Sequence, residues 1–233
     1  MKKEVAYIDF RLIDYQEAWD KQRVLFDLLL NRKLDSSKDG HDCFILCEHP
    51  HVYTLGRSGA DANLLISDDF LQKIGASYYK IDRGGDITYH GPGQIVGYPI
   101  IDLEKFEVSL KDYIHKVEEM IIRTIAEYGI IGERLDGATG VWLDTCIPGR
   151  ARKICAIGVK ASRFITMHGF ALNVNTNLEY FNYINPCGFV DKGVTSMEKE
   201  LGKKLDFEEV KRVTARKFEE VFNAKLYNSA EVK

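Results

Sequence analysis

The chain has little of several features that would settle its class at once. It has no excess of one charge, because 32 Lys and Arg residues stand against 35 Asp and Glu residues for a formal net charge of -3. It therefore lacks the basic footprint typical of nucleic-acid binding. The apolar run 25–30 contains Asp27 and falls far short of the roughly 20 residues that a membrane-spanning helix needs. We expect neither nucleic acid nor membrane as a partner.

Disulfide and nucleotide-binding patterns are also missing. The five cysteines, Cys43, Cys47, Cys146, Cys155 and Cys187, are odd in number and form no CxxC pair, so they do not indicate a disulfide framework. Neither GxxxxGK[ST] nor GxGxxG occurs, which removes the common phosphate-binding loops. The first ten residues show no secretory apolar region. The expected location is the reducing cytoplasm.

What is present is a globular composition, with 233 residues of which 45% are hydrophobic. Residues 1–233 are predicted to form one α/β domain, in which the final helical part could be a small lobe, because no repeat or Pro/Ser-rich linker divides them. Hydrophobic periodicity predicts three long helices and a short helix near 178–183. Ser109 is a predicted cap, and Asp206 with Glu209 forms a capping-box pattern. The long helices are predicted over 14–32, 109–128 and 206–222, and strands over 5–10, 43–47, 77–81, 153–159, 164–167 and 170–174.

The segment 83–99 has the most unusual composition, because five glycines and two prolines fall within it. Glycine allows close approach of the backbone to a ligand and proline rigidifies turns. The segment is therefore a candidate binding element that presents backbone amides and the side chains of Arg83, Thr88, Tyr89 and His90. A glycine-rich hairpin explains the composition equally well.

The cysteines and two of the histidines differ in the roles that their sequence contexts allow. Cys43 and Cys47 would lie about 13 Å apart on one strand, too far to share a zinc ion with His49 or His51. The apolar strand around Cys155 predicts a core position, and the polar loop around Cys146 predicts an exposed thiol. Cys187 lies on a turn between Pro and Gly, but a thiol needs a neighbouring cation or base to be nucleophilic. Lys153 is the candidate partner, since alternation would place it on the side of Cys155, although a strand-end lysine commonly reaches solvent.

Four stretches carry longer motifs. They are 83–103 (RGGDITYHGPGQIVGYPIIDL), 153–159 (KICAIGV), 167–174 (MHGFALNV) and 181–196 (FNYINPCGFVDKGVTS). In this order they closely resemble the octanoyltransferases of lipoate biosynthesis, also called lipoyl(octanoyl) transferases or lipoate biosynthesis protein B. The resemblance implies the fold of biotin and lipoate ligase catalytic domains, a mixed α/β domain with mixed sheets flanked by helices.

The resemblance also implies a reaction and its residues. An octanoyl group would pass from octanoyl-acyl carrier protein, through a thioester on Cys187, to the lysine of lipoyl domains in 2-oxoacid dehydrogenases and glycine cleavage H protein. Lys153 would be the lysine that lowers the thiol pKa, and neither a cofactor nor a metal would be needed. The implied substrate contacts are Arg83, Gly84, Gly85, Asp86, Ile87, Thr88, Tyr89, His90, Ala156, Ile157, Gly158, His168, Gly169 and Phe170.

Three other functions stay open at the level of sequence. An ATP-dependent lipoate or biotin ligase on the same scaffold would activate a free acid and would not need Cys187. A cysteine thioester hydrolase would use His90 or His168 as its base and would release the acid to water. A non-catalytic module would bind lipoyl domains without turnover.

Overall fold

The computed structural model describes residues 2–185 and 192–228. None of the helices in these residues is long and apolar enough to cross a membrane. The helices are α1 (Tyr15–Leu34), α2 (Asp68–Lys73), α3 (Leu110–Ala126), α4 (Met197–Leu201) and α5 (Phe207–Phe222), with short 3₁₀ helices at Asp61–Asn63 and Leu178–Tyr183. The strands are β1 (Lys3–Leu12), β2 (Cys43–Glu48), β3 (Val52–Leu55), β4 (Ser77–Lys80), β5 (Ile87–His90), β6 (Gln94–Ile100), β7 (Glu133–Leu135), β8 (Ala138–Leu143), β9 (Arg152–Ser162), β10 (Ile165–Asn173), β11 (Gly193–Val194) and β12 (Ala224–Asn228).

The three long helices begin at side chains that satisfy their first backbone N–H groups. α1 follows a capping aspartate, and α3 starts with a reciprocal capping box between Ser109 and Asp112. At α5 the Asp206 carboxylate accepts a hydrogen bond from the Glu209 backbone N–H, but the Glu209 carboxylate binds Arg212. The predicted long helices are thus confirmed, and only half of the second capping box is formed.

A large mixed sheet organises the molecule. Its strand order is β12-β1-β2-β6-β10-β9-β8-β7, and β11 pairs alongside β9. The two strands predicted at 164–167 and 170–174 are in fact one, because β10 continues through His168 and Gly169. A Cβ at Gly169 would lie 2.1 Å from the Gly97 carbonyl oxygen. This glycine therefore allows close approach of β6 and does not break the strand.

Helices cover both faces of this sheet. Phe44 and Leu46 of β2 belong to the core beneath α3 and α5, whereas Ile45 and Cys47 belong to the core beneath α1. Alternate residues of one central strand are therefore buried on opposite faces, which explains the uninterrupted apolar run in 43–47. Cys43, Cys47 and Cys155 are buried and Cys146 is exposed, so the predicted environments of Cys155 and Cys146 are confirmed.

A second, three-stranded sheet has the order β4-β3-β5. The glycine-rich segment connects the two sheets, because β5 pairs with β3 while β6 pairs with β2 and β10. The alternative of a simple hairpin is therefore wrong, since the two consecutive strands do not pair with each other. Instead the segment turns at residues 91–93 and holds the small sheet against the edge of a cavity.

Candidate active site

A cavity of about 300 Å³ lies where the glycine-rich segment meets β8, β9 and β10. Most of the residues that the family motifs nominate as substrate contacts line it, together with the nominated lysine, Lys153. The pairing of β9 with β10 brings two of the nominated stretches together, with Gly158 opposite Gly169 and Ile157 opposite Phe170. The nominated residues along the wall are Arg83, Gly85, Asp86, Ile87, Thr88, His90, Lys153, Ala156, Ile157, Gly158, His168, Gly169 and Phe170.

Arg83 and Gly84 together hold the glycine-rich segment against both sheets. Arg83 is 7% exposed, and its guanidinium donates to the Thr54 carbonyl oxygen at 2.7 Å and to the Thr54 hydroxyl at 3.0 Å. The next residue, Gly84, donates its N–H to the Val159 carbonyl oxygen of β9 at 2.9 Å. A Cβ at Gly158 would lie 2.9 Å from Arg83 Cδ, so only glycine at this position leaves room for the arginine.

Gly84 and Tyr89 do not line the cavity. Gly84 acts through the backbone contact with β9 described above, and Tyr89 is fully buried within the small sheet. The Tyr89 hydroxyl lies 2.8 Å from His51 Nδ1, and its ring stacks 5.0 Å from that of Tyr180. Alternation along β5 turns Thr88 and His90 toward the cavity and Tyr89 toward the aromatic core on the other side.

Lys153 lies on the cavity side of β9, which the simple alternation of side chains along a strand does not predict. The pairing of β8 with β9 shifts register between Val141 and Trp142, which face Cys155 and Lys153 respectively. The bulge places Ile154 and Cys155, two consecutive residues, in the same apolar core. Lys153 therefore lines the cavity with Ala156 and Gly158, and the predicted shared side with Cys155 is wrong. Its ammonium lies 4.5 Å from the centre of the Trp142 ring.

His90 is held as a neutral hydrogen-bond donor. It is buried, and this burial is the main cause that lowers its pKa to about 3. Its Nδ1 lies 2.8 Å from Gln94 Oε1, while Gln94 Nε2 donates to Asn173 Oδ1 at 2.8 Å. Because the amide nitrogen is used toward Asn173, its oxygen faces His90 and Nδ1 carries the proton. Asn173 in turn donates to the Thr195 carbonyl oxygen, so this chain of bonds ends beside β11.

His168 is oriented by a carboxylate. Its Nε2 lies 2.9 Å from Asp82 Oδ1, and the other oxygen of Asp82 accepts from Lys160 at 2.6 Å. Burial lowers the pKa of His168 despite that partner, and the His168 hydrogen bond is the largest cause that lowers the pKa of Asp82. We therefore assign a neutral imidazole beside a charged carboxylate. His168 has a left-handed backbone, with φ at 61°, a strained conformation for a non-glycine residue.

Cys187 lies outside the described residues. The chain on both sides of the gap lines the cavity, since Ile184 precedes it and Lys192 and Val194 follow it. Val194 in β11 is the parallel partner of Lys153 in β9. The flank that follows Cys187 thus meets the cavity beside Lys153.

Several lining residues were not nominated from the sequence. Trp142 lies in an apolar run that indicates only a buried strand, and Tyr15 begins a helix far from the motifs in sequence. Gln94 and Asn173 lie inside the motif stretches, and their polar side chains at strand ends were the available signal. Among the described residues, no group of three or more His, Cys, Asp or Glu side chains is arranged to hold a metal ion.

The sequence of this chain matches a protein-family model and individual proteins of known name. The lipoyl protein ligase A/B catalytic domain model matches residues 14–219. An octanoyltransferase of Bacteroides fragilis (strain YCH46) is 57% identical over 203 residues, which cover 87% of this chain and 91% of that protein. An octanoyltransferase of Parabacteroides distasonis is 57% identical over 216 residues, covering 93% and 97%.

Solved structures share the fold at much lower identity. A bipartite lipoate protein ligase from Thermoplasma acidophilum superimposes with a TM-score of 0.72 at 13% identity, covering 99% of this chain and 89% of that one. A lipoate-protein ligase A bound with ATP gives 0.67 at 14% identity, covering 100% and 91%. These likenesses confirm the predicted mixed α/β fold, and the relatives confirm a transferase. The chain therefore belongs to the lipoyl protein ligase A/B catalytic-domain family and, within it, to the octanoyltransferases.

Proposed function

We propose that residues 1–233 act as one catalytic domain that moves an octanoyl group from octanoyl-acyl carrier protein to the lysine of lipoyl domains through a thioester on Cys187. The acceptors would be the lipoyl domains of 2-oxoacid dehydrogenases and glycine cleavage H protein. The observation that carries the proposal is the position of Lys153, which lines the cavity beside the strand that follows residues 186–191. A working thiol must stay reduced, which favours the cytoplasm.

In the first half-reaction the Cys187 thiolate attacks the thioester carbonyl of the carrier. The bond to the carrier sulfur breaks, and protonated Lys153 gives its proton to the departing thiolate. The enzyme is then acylated and Lys153 is neutral. No ATP enters the step, because one thioester replaces another.

In the second half-reaction the amine of the acceptor lysine attacks the acyl-enzyme. Neutral Lys153 accepts the proton that the amine loses, Cys187 leaves as a thiolate, and an amide forms. Protonated Lys153 again faces the thiolate, so the initial state is restored. Formation of an amide from a thioester is downhill and supplies the driving force.

The cavity offers an apolar wall for the octanoyl tail. Val96, Ile157, Phe170 and Ala171 line it. Burial of the tail contributes about 0.8 kcal/mol for each methylene, or roughly 5 kcal/mol if the whole tail leaves water. This binding energy would hold the reacting carbonyl beside Lys153 in both half-reactions.

The two histidines on the wall support binding more than base catalysis. Burial lowers the pKa of both His90 and His168, which makes each imidazole a weaker proton acceptor. A hydrolase that used either as its base would release octanoate at a rate independent of the acceptor domain. An ATP-dependent ligase is the other rival, favoured by the shared fold alone.

Intact-mass measurement after mixing with octanoyl-acyl carrier protein tests the proposal. The wild type is expected to gain one octanoyl group, Cys187→Ala to gain none, and added lipoyl domain to discharge the adduct. Cys146→Ala is the matched control, because Cys146 is an exposed thiol that does not line the cavity. An adduct that persists in Cys187→Ala would contradict the nucleophile. Incorporation of free octanoate with ATP in Cys187→Ala would favour the ligase, and acceptor-independent release of octanoate the hydrolase.

A further inference from the structure

The Lys153 side chain lies over an indole. Its ammonium is 4.5 Å from the ring centre of Trp142, well inside the distance of about 6 Å at which a cation is attracted to an aromatic face. Trp142 is 2% exposed, and both residues line the cavity. Their Cα atoms are direct partners in the pairing of β8 with β9. The contact is therefore built into the sheet and does not depend on a surface rotamer.

The indole is itself fixed in place. Its Nε1 donates to the Ala138 carbonyl oxygen at 2.8 Å, which locks the ring plane against the start of β8. Gly140 lies between Ala138 and Trp142 in the chain. Its N–H donates to the buried carboxylate of Glu118 at 3.1 Å, and its φ is +127°. A Cβ at Gly140 would lie 2.6 Å from the Cys155 carbonyl oxygen and 3.4 Å from Lys153 Cε. Glycine at 140 thus allows the close approach of β8 to the β9 backbone, next to the lysine stem.

We propose that Trp142 is a positioning residue that holds the Lys153 ammonium in the cavity and favours its protonated form, and thereby sustains the Cys187 thiolate. The inference rests on the proposed function. An aromatic face attracts the ammonium but not the neutral amine, so the indole stabilises one protonation state selectively. An ammonium held beside the thiol then lowers the thiol pKa. Replacing the indole is expected to reverse both effects.

Other charged and titratable groups face the same region from every neighbouring element. Arg83 and Asp86 come from the segment before β5, and Lys192 from the segment before β11. Behind the strands lie Glu118 of α3 and the Cys155 thiol of β9, whose pKa burial raises. His90 and His168 line the cavity as neutral groups because burial lowers their pKa values. Tyr15 of α1 and Tyr98 of β6 also line it, and burial raises the pKa of both. All of these stay in place when Trp142 alone is changed, so a shift in the thiol pKa would report on the indole.

The test is the pH dependence of Cys187 alkylation by iodoacetamide, followed by peptide mass in a Cys146→Ala background. Trp142→Leu is expected to raise the thiol pKa by about 0.5 to 1 pH unit, a three- to tenfold loss of thiolate at neutral pH. Trp142→Phe, which keeps an aromatic face, is expected to give a smaller rise in the same direction. Val141→Ala is the matched control, because Val141 is buried on the same strand but belongs to the apolar core and does not line the cavity.

A role limited to packing would not produce this pattern. A thiol pKa equal in Trp142→Leu and Val141→Ala would overturn the proposal, and Trp142→Phe decides alone if the leucine variant does not fold. In a Lys153→Met background Trp142→Leu is expected to cause no further rise, and an undiminished rise there would also refute the mechanism. If Lys153→Met by itself leaves the thiol pKa unchanged, the dyad of the proposed function fails. If Lys153→Met raises it and Trp142→Leu does not, only the role of Trp142 fails.

Discussion

Two buried histidines predict that the fold loses stability in mild acid. Burial lowers the pKa of His49 to about 4 and that of His90 to about 3, from an ordinary value of 6.5. His49 has both ring nitrogens in contact, with the Ile13 carbonyl oxygen at 2.8 Å and the Tyr98 hydroxyl at 2.7 Å. The unfolded chain therefore binds protons that the folded chain rejects as the pH falls below 6.5.

The magnitude follows from the width of that window. Each of these histidines stabilises the fold fully above pH 6.5, and the contribution falls as the pH drops toward the lowered pKa. At pH 5 the lowered pKa of each histidine reduces the free energy of unfolding by about 2 kcal/mol, or by about 4 kcal/mol for the pair. His168, whose pKa is also lowered, acts in the same direction. The lowered pKa of Asp82 matters only in stronger acid, so it does not enter this window.

Urea unfolding at pH 7 and pH 5 measures the effect. We expect the free energy of unfolding of the wild type to fall by about 4 kcal/mol, a large part of the 5 to 15 kcal/mol typical of a domain. His90→Gln should lose about 2 kcal/mol of that pH dependence even if it is less stable at pH 7. His115→Gln, which changes an exposed histidine on α3, is the control and should keep the full dependence. A free energy that is flat between the two pH values, or an unchanged slope in His90→Gln, would refute the reasoning.

Two further predictions concern transfer. Lys153→Met should lower kcat for octanoyl transfer by about 10² or more without lowering the melting temperature, as steady-state assays and thermal melts would show. Lys225→Met, a change at an exposed position on the edge strand β12, should retain activity, and equal losses in both would contradict the dyad. Gly158→Ala should raise KM for the octanoyl donor, because the new Cβ would lie 2.9 Å from Arg83 Cδ and displace that side chain into the cavity. Ser162→Ala, at the exposed end of the same strand and outside the cavity, should not, and an unchanged KM in Gly158→Ala would show that the Arg83 position is irrelevant to binding.

Local sequence signals predicted the elements whose determinants are local. The long helices follow from an apolar stripe and a capping side chain, both of which lie within the segment itself. The buried strand at 43–47 and the exposed loop around Cys146 were likewise predicted from signals within their own segments. By contrast β3, β5, β6 and β8 were not predicted, because their apolar residues pack against partners that are distant in sequence. The predicted division between 164–167 and 170–174 is wrong for the same reason, since Gly169 allows the close approach of β6 within one strand.

The sequence alone determined the family and the residue types of the site, because the motifs in 83–103, 153–159 and 167–174 are long and lie in a characteristic order. Tertiary structure decided which of those residues share one cavity, since that depends on the pairing of β9 with β10 and on the contact of Gly84 with Val159. It also decided that Lys153 faces this cavity and lies over Trp142. A bulge at Ile154 reverses the alternation there, and no periodic rule applied to one strand can reveal an irregularity that only its pairing with β8 creates.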